Sequence, residues 1–293
     1  MADTETDETS IDTDAGQLYA KRWTPLACPR TGVPIVLIHD SLGCVRLWRD
    51  FPERLALATG RPVIAYDRLG FGRSAPYPGV LPHDFTTLEA LTGFCSVREH
   101  FGLDRFAVLG HSAGGDIAAA CAATYRDACY ALITIAAVVF VEDVTLAGVA
   151  QARAAYAQPG QLDRLKKYHG DKAAWVLSAW VDTWLSPKFA GWTLDDALGQ
   201  VRCPILPIHG ALDEFGSIAH PQRIAGLTGA TPVILEQCGH VPHREQANTV
   251  LDLVAEWLAG VMPPTDSDSD SDSPDNRLID ATSHRNDPTA PAR

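Results

Sequence analysis

Short apolar runs alternate with longer stretches of helical periodicity through most of the chain. The strand-like runs are Gln17–Trp23, Pro34–His39, Pro62–Tyr66, Phe106–Gly110, Ala131–Ala136, Ile205–His209 and Pro232–Leu235. Several are continuous and β-branched, the pattern of strands buried on both faces. Between them, Leu47–Thr59, Thr87–Phe101, Ala113–Tyr125, Ile218–Leu227 and Glu245–Ala259 space their apolar residues as helices do. This alternation predicts an α/β fold: a mostly parallel central sheet with helices on both faces.

One segment breaks the alternation. More than sixty residues separate Ala136 from Ile205, and they read as helical in GVAQARAAYAQ, GQLDRLKKYH and DKAAWVLSAWVDTWL. A structureless loop of that length does not suit a compact domain. The expectation is a helical cap over residues 141–199, inserted into a core formed by 15–140 and 200–262.

Charge changes the picture at the ends. The net charge is -12, but residues 1–14 hold six acids and no base, and residues 263–293 hold seven acids and three arginines. The middle is nearly neutral. Both acidic ends, 1–14 and the TDSDSDSDSP-bearing stretch 263–293, are therefore expected to be disordered. No basic stripe suggests nucleic acid, and no apolar run reaches bilayer-spanning length. The start carries no basic, apolar leader pattern. The seven cysteines lack paired spacing, which argues for reduced thiols in the cytoplasm and against a zinc site. No heptad pattern suggests assembly, so the oligomeric state stays open.

The chemistry concentrates in three loops. Residues 110–114 read Gly-His-Ser-Ala-Gly, preceded by the apolar run FAVLG and followed by the small-residue helix DIAAACAA, as a strand–turn–helix nucleophile elbow requires. A serine hydroxyl needs an adjacent base, and the base needs an orienting acid. After PILPIH comes Gly210-Ala-Leu-Asp213, and after PVILE comes Gln-Cys-Gly239-His240. Loops at the carboxyl edge of a parallel sheet converge on one crevice. The expected triad is Ser112, Asp213 and His240, with Glu214 as an alternative acid and His243 as an alternative base. His243 otherwise suits a capping or surface role. The oxyanion donors expected by position are the N–H groups of Ala113 and Ser41.

These motifs, with His39-Asp-Ser-Leu-Gly43 and Asp67-Arg-Leu-Gly-Phe-Gly-Arg-Ser74, resemble the α/β-hydrolase superfamily over most of residues 15–262. The likeness is to the capped, esterase-like group that includes carboxylesterases and carbon–carbon bond hydrolases. It implies acyl transfer from a small-molecule substrate to serine and then to water, with no cofactor and no metal. Members with Asp at the elbow carry out alkyl-enzyme chemistry, which Ser112 excludes. The Asp67–Ser74 stretch is a structural turn in such proteins. They usually place glycine directly after the first histidine, where this chain has Asp40. Its carboxylate either crowds the oxyanion hole or bonds its own loop, as aspartate does in turns.

The substrate pocket is expected among His39, Asp40, Leu42, His111, Phe140, Trp180 and Trp184. Trp180 and Trp184, with Trp175 and Trp192 nearby, either pin the cap to the core or line an apolar acyl pocket. His169 is expected at the cap surface. Three functions compete. The first is hydrolysis of a small carboxylic ester, lactone or thioester. The second is hydrolysis of a carbon–carbon bond in a diketone-like ring-cleavage product, for which Arg153 and Arg164 could hold a substrate carboxylate. The third is a non-hydrolytic receptor or lyase on the same fold.

Overall fold

The computed structural model describes residues 3–27 and 32–261. The strands are β1 (Thr4–Thr13), β2 (Gly16–Pro25), β3 (Ile35–Ile38), β4 (Val63–Tyr66), β5 (Phe106–His111), β6 (Cys129–Ile135), β7 (Ile205–Gly210) and β8 (Val233–Leu235). They form one sheet in the order β1-β2-β4-β3-β5-β6-β7-β8. The β1–β2 and β2–β4 pairs are antiparallel, and every pair from β4 to β8 is parallel. The expected α/β architecture is therefore present, with an antiparallel edge.

Side chains alternate across the sheet, as the strand period dictates. Val36 and Ile38 of β3 join one apolar layer, and Ile35 and Leu37 join the other. Helices α1 (Phe51–Thr59), α2 (Phe85–Leu91), α3 (Gly93–His100), α4 (Ala113–Thr124), α5 (Asp143–Tyr156), α6 (Gln161–His169), α7 (Ala173–Trp184), α8 (Asp195–Leu198), α9 (Ala219–Thr228), α10 (Pro242–Glu245) and α11 (Ala247–Gly260) complete the fold. The stretch expected as one helix over 87–101 divides at Thr92. α4 is buried over Ala113–Ala122; its alanines and glycines let it lie close against the sheet.

The expectation of disorder over 1–14 is overturned for the residues described. Thr4–Thr13 pairs with β2 along its full length, through a two-residue turn at Asp14-Ala15. Its acids face partners: Glu8 meets Arg73 at 2.7 Å and Lys21 at 3.4 Å, and Asp7 meets Arg22 at 3.4 Å. Ile11 and Thr4 are buried. The acids occupy an edge strand, where charge discourages pairing with another chain. The expectation for 263–293 lies outside the described residues.

A helical insertion comprising α5 to α8 lies between β6 and β7. Its two passages run side by side. Phe140 and Thr193 form an isolated antiparallel bridge, and Leu194 N–H donates to Val139 O at 2.8 Å. Among the described residues, no helix is long and apolar enough to cross a membrane.

Candidate active site

Ser112 sits between the end of β5 and the first residue of α4, with φ 54° and ψ −128°. Non-glycine residues rarely hold positive φ, and a nucleophile elbow is one place that does. The flanking glycines are sterically required. A Cβ on Gly110 would lie 1.9 Å from Gly114 O, and one on Gly114 would lie 2.1 Å from Ile38 O. The turn therefore lifts Ser112 clear of the sheet only because both positions lack side chains.

The other two loops meet it. Ser112 Oγ donates to His240 Nε2 at 2.9 Å. His240 Nδ1 donates to Asp213, with Oδ1 at 2.9 Å and Oδ2 at 2.8 Å. The Asp213 side chain is fully buried, and Oδ1 also accepts the N–H groups of Phe215 and Gly216 at 2.8 and 3.2 Å. Burial pushes the Asp213 carboxyl pKa up, but the bond and charge of His240 with the Phe215 amide outweigh it, so the net shift is downward. Glu214, the alternative acid, is exposed and accepts only the His240 backbone N–H, at 3.3 Å. His243, the alternative base, is 3% exposed and packs on Trp48 and His111 at ring distances of 4.7 and 4.6 Å. This corrects its expected capping or surface role: its ring completes the core behind the site.

The loop expected to supply an oxyanion donor is held from four sides. His39 Nδ1 and Arg68 Nη2 donate to Asp40 O at 2.8 and 3.0 Å. Asp40 Oδ1 accepts Leu42 N–H at 2.9 Å, a bond within its own loop, and Oδ2 meets His111 Nδ1 at 3.1 Å. His111 Nε2 then donates to the carbonyl of His240 at 2.8 Å. Burial raises the Asp40 pKa, yet His111, His39 and Arg244 together hold the carboxyl well below its ordinary value. His169 Nε2 donates to Leu42 O at 3.0 Å and its Nδ1 accepts Gly72 N–H at 2.9 Å. His169 is 1% exposed. Instead of the expected surface position, it joins the insertion to two core loops. Ser41, in this loop, lines the cavity over Ser112, and together with Ala113, first residue of α4, it lines a small adjoining gap.

A cavity of about 160 Å³ opens over Ser112. Of the expected pocket residues, Asp40, Leu42, His111, Trp180 and Trp184 line it. His39 does not; its ring lies under the loop, where Nε2 accepts Arg68 N–H at 3.1 Å. Nor does Phe140, which packs on His220 at 4.3 Å. The lining also includes Val138, Thr145, Val149, Phe215 and Val241, which no local pattern in the sequence singles out. Trp175 and Trp192 do not line it: Trp175 stacks on Tyr77 of the core at 5.1 Å, and Trp192 stacks on Phe189, within the insertion itself, at 5.0 Å. Glu245 went unnoticed in the sequence. Its two oxygens accept Gly239 N–H at 2.7 Å and Val241 N–H at 2.9 Å, splinting the backbone around His240. Among the described residues, no group of three or more metal-binding side chains occurs.

Residues 33–180 match the family described as the alpha/beta hydrolase fold. The chain belongs to this family. A proline iminopeptidase of Levilactobacillus brevis is 35% identical over 107 residues, which are 36% of this chain and 33% of that enzyme. This α/β hydrolase therefore matches only about a third of that relative's length. A second proline iminopeptidase, from Lactobacillus crispatus, is 20% identical over 77% of this chain and 89% of its own. In structure, the α/β hydrolase resembles the 2-hydroxy-6-oxo-6-phenylhexa-2,4-dienoate hydrolase of Rhodococcus sp., with TM-score 0.73 and 18% identity over 87% of this chain and 99% of that one. It also resembles a bacterial membrane phospholipase A, with TM-score 0.70 and 21% identity over 89% and 87%. At these identities the likeness is one of fold.

Proposed function

We propose that this α/β hydrolase cleaves a small carboxylic ester, with lactones and thioesters in the same class, through an acyl-enzyme on Ser112. His240 takes the hydroxyl proton as Oγ attacks the carbonyl carbon. The oxyanion is held by the N–H groups of Ala113 and Ser41, with the positive end of α4 aimed at it. His240 then protonates the departing alcohol and, in the second half, takes a proton from water. Asp213 fixes the imidazole tautomer and stabilises the imidazolium. These residues complete both half-reactions without a cofactor. The insertion acts as a cap over a small-molecule substrate.

The observation that carries this reading is the unbroken Ser112–His240–Asp213 hydrogen-bond chain beneath an apolar cavity. Val138, Val149, Trp180, Trp184 and Phe215 suit an apolar acyl or alcohol group. The two arginines available to the carbon–carbon reading, Arg153 and Arg164, are exposed on α5 and α6 and do not line the cavity. That favours the ester.

Fluorophosphonate labelling with peptide mapping tests the nucleophile. A single adduct on Ser112, absent in Ser112→Ala, is expected. Ester turnover in that variant should fall by about 10⁴-fold or more while the protein stays folded. A folded wild type that takes no label, or a variant that keeps near-normal turnover, overturns the assignment. Faster cleavage of a dienoate ketone than of any simple ester would move the reading to the carbon–carbon class.

A further inference from the structure

The cysteines are scattered along the sequence, but the fold brings two of them together. Cys129 opens β6, and Cys203 lies two residues before β7. These strands pair in parallel with Leu132 opposite Ile205, and Leu132 N–H donates to Pro204 O at 3.0 Å. The lead-in to β7 therefore runs alongside the start of β6. Cys129 Sγ and Cys203 Sγ are 3.7 Å apart, in contact as free thiols. Neighbouring chains at strand spacing, about 4.8 Å, lie within the span of a disulfide.

The two thiols differ. Cys129 is 2% exposed, and burial pushes its thiol up. Cys203 is partly exposed, and its hydrogen bond with Cys129 pulls its thiol below the ordinary value. The more acidic thiol is thus the one that a reagent can reach, as redox-reactive cysteines require. Cys44, Cys121 and Cys238 are buried, and burial raises the thiol of each.

Their places in the chain matter as much as their contact. They stand 74 positions apart, and between them lie β6, the whole insertion from α5 to α8 and the return toward β7. Both belong to the amino ends of their strands. Ser112, Asp213 and His240 follow the carboxyl ends of β5, β7 and β8, at the opposite edge of the parallel sheet.

We infer that Cys129 and Cys203 are a peroxide-reactive pair, reduced at rest, whose oxidation staples together the two roots of the helical insertion. The Cys203 thiolate attacks one peroxide oxygen, the O–O bond breaks, and a sulfenic acid forms as hydroxide leaves and takes up a proton. The Cys129 sulfur then attacks the sulfenic sulfur, giving up its proton as the hydroxyl departs as water. Two thiols and one hydrogen peroxide become one disulfide and two waters; each sulfur loses one electron and the peroxide gains both. None of this depends on the chemistry at Ser112.

The full chain, reduced and then treated with millimolar hydrogen peroxide, tests it. The intact mass should fall by two hydrogens, peptide mapping should join Cys129 to Cys203, and dithiothreitol should reverse both changes. Cys203→Ser should form no such bridge. Cys129→Ala should instead leave a sulfenic acid on Cys203, trapped by dimedone. Because the bridge closes a long loop, the oxidised protein should melt roughly 5–10 °C above the reduced one, a difference absent in Cys203→Ser. Peroxide that leaves both thiols free, or that joins another pair first, overturns the inference. So does dimedone trapping on Cys129 in preference to Cys203, and a bridge that forms without raising the melting temperature refutes the staple.

Discussion

Asp40 stands where the family resemblance leads one to expect glycine, and its carboxylate is put to structural use. Oδ1 closes the turn through Leu42 N–H, and Oδ2 reaches His111, whose other ring nitrogen holds the backbone of His240. One carboxylate therefore braces the His39–Gly43 loop and, through one ring, the loop that carries His240. Asp40→Ala leaves the Leu42 amide and His111 Nδ1 without this acceptor. It should cost about 1–3 kcal/mol of stability in urea titrations, and lower kcat about tenfold through loosened positioning. A kcat within twofold of wild type would mean that His39 and Arg68 hold the loop unaided. Asp213→Asn probes the other carboxylate. Loss of the charge and of the imidazole tautomer it enforces should reduce kcat by about 10⁴-fold, with labelling of Ser112 slowed in parallel.

At the level of elements, β1 makes the sharpest prediction. A chain lacking residues 1–13 loses a ten-residue strand, the burial of Ile11 and the partners of Arg73, Lys21 and Arg22, and it leaves β2 as an open edge. Its melting temperature should drop by roughly 5–10 °C, with faster aggregation on heating; an unchanged melting curve would mean that the strand contributes little. This strand was not legible in the sequence, because its acids and threonines look like a solvated tail until the partners on β2 and at Arg73 are known. Strands β3 to β7 were legible, since burial on both faces leaves continuous apolar runs. The meeting of Ser112, Asp213 and His240 was legible for a similar reason. The elbow needs small residues at fixed offsets, and the acid and base follow strands in a fixed order. The pocket was not. Val138, Thr145, Phe215 and Val241 converge from separate loops and helices, and nothing local in their sequence marks the convergence. His39 and Phe140 were misplaced because adjacency to a motif does not tell which way a side chain turns.

Across the whole molecule, histidine burial sets an acid limit. His39, His169, His209, His220 and His243 are all nearly inaccessible. Burial, the largest influence on each, pulls their pKa values below the ordinary 6.5, to about 4 for His220. Each is favoured neutral in the folded state, so its contribution is present above about pH 6.5, the unfolded value. It is lost as pH falls through the lowered folded values, because the unfolded chain then binds protons that the folded one resists. The melting temperature should be nearly level above pH 7 and fall steadily toward pH 4, as calorimetry across a buffer series would show. A level profile down to pH 4 would contradict the neutral, buried assignment.

The side-by-side strands at Val139–Phe140 and Thr193–Leu194 bring the start and finish of a fifty-residue excursion within one bridge of each other. Closing such a loop adds little entropy as it lengthens or shortens, and neither passage belongs to the strand ends that carry Ser112, Asp213 or His240. The excursion is closed at one seam but tied to the core at others: any helices exchanged for it there would have to keep the His169 contacts with Leu42 O and Gly72 N–H and the Thr145 bond to Phe215 O, which reach the loops around Ser112 and Asp213.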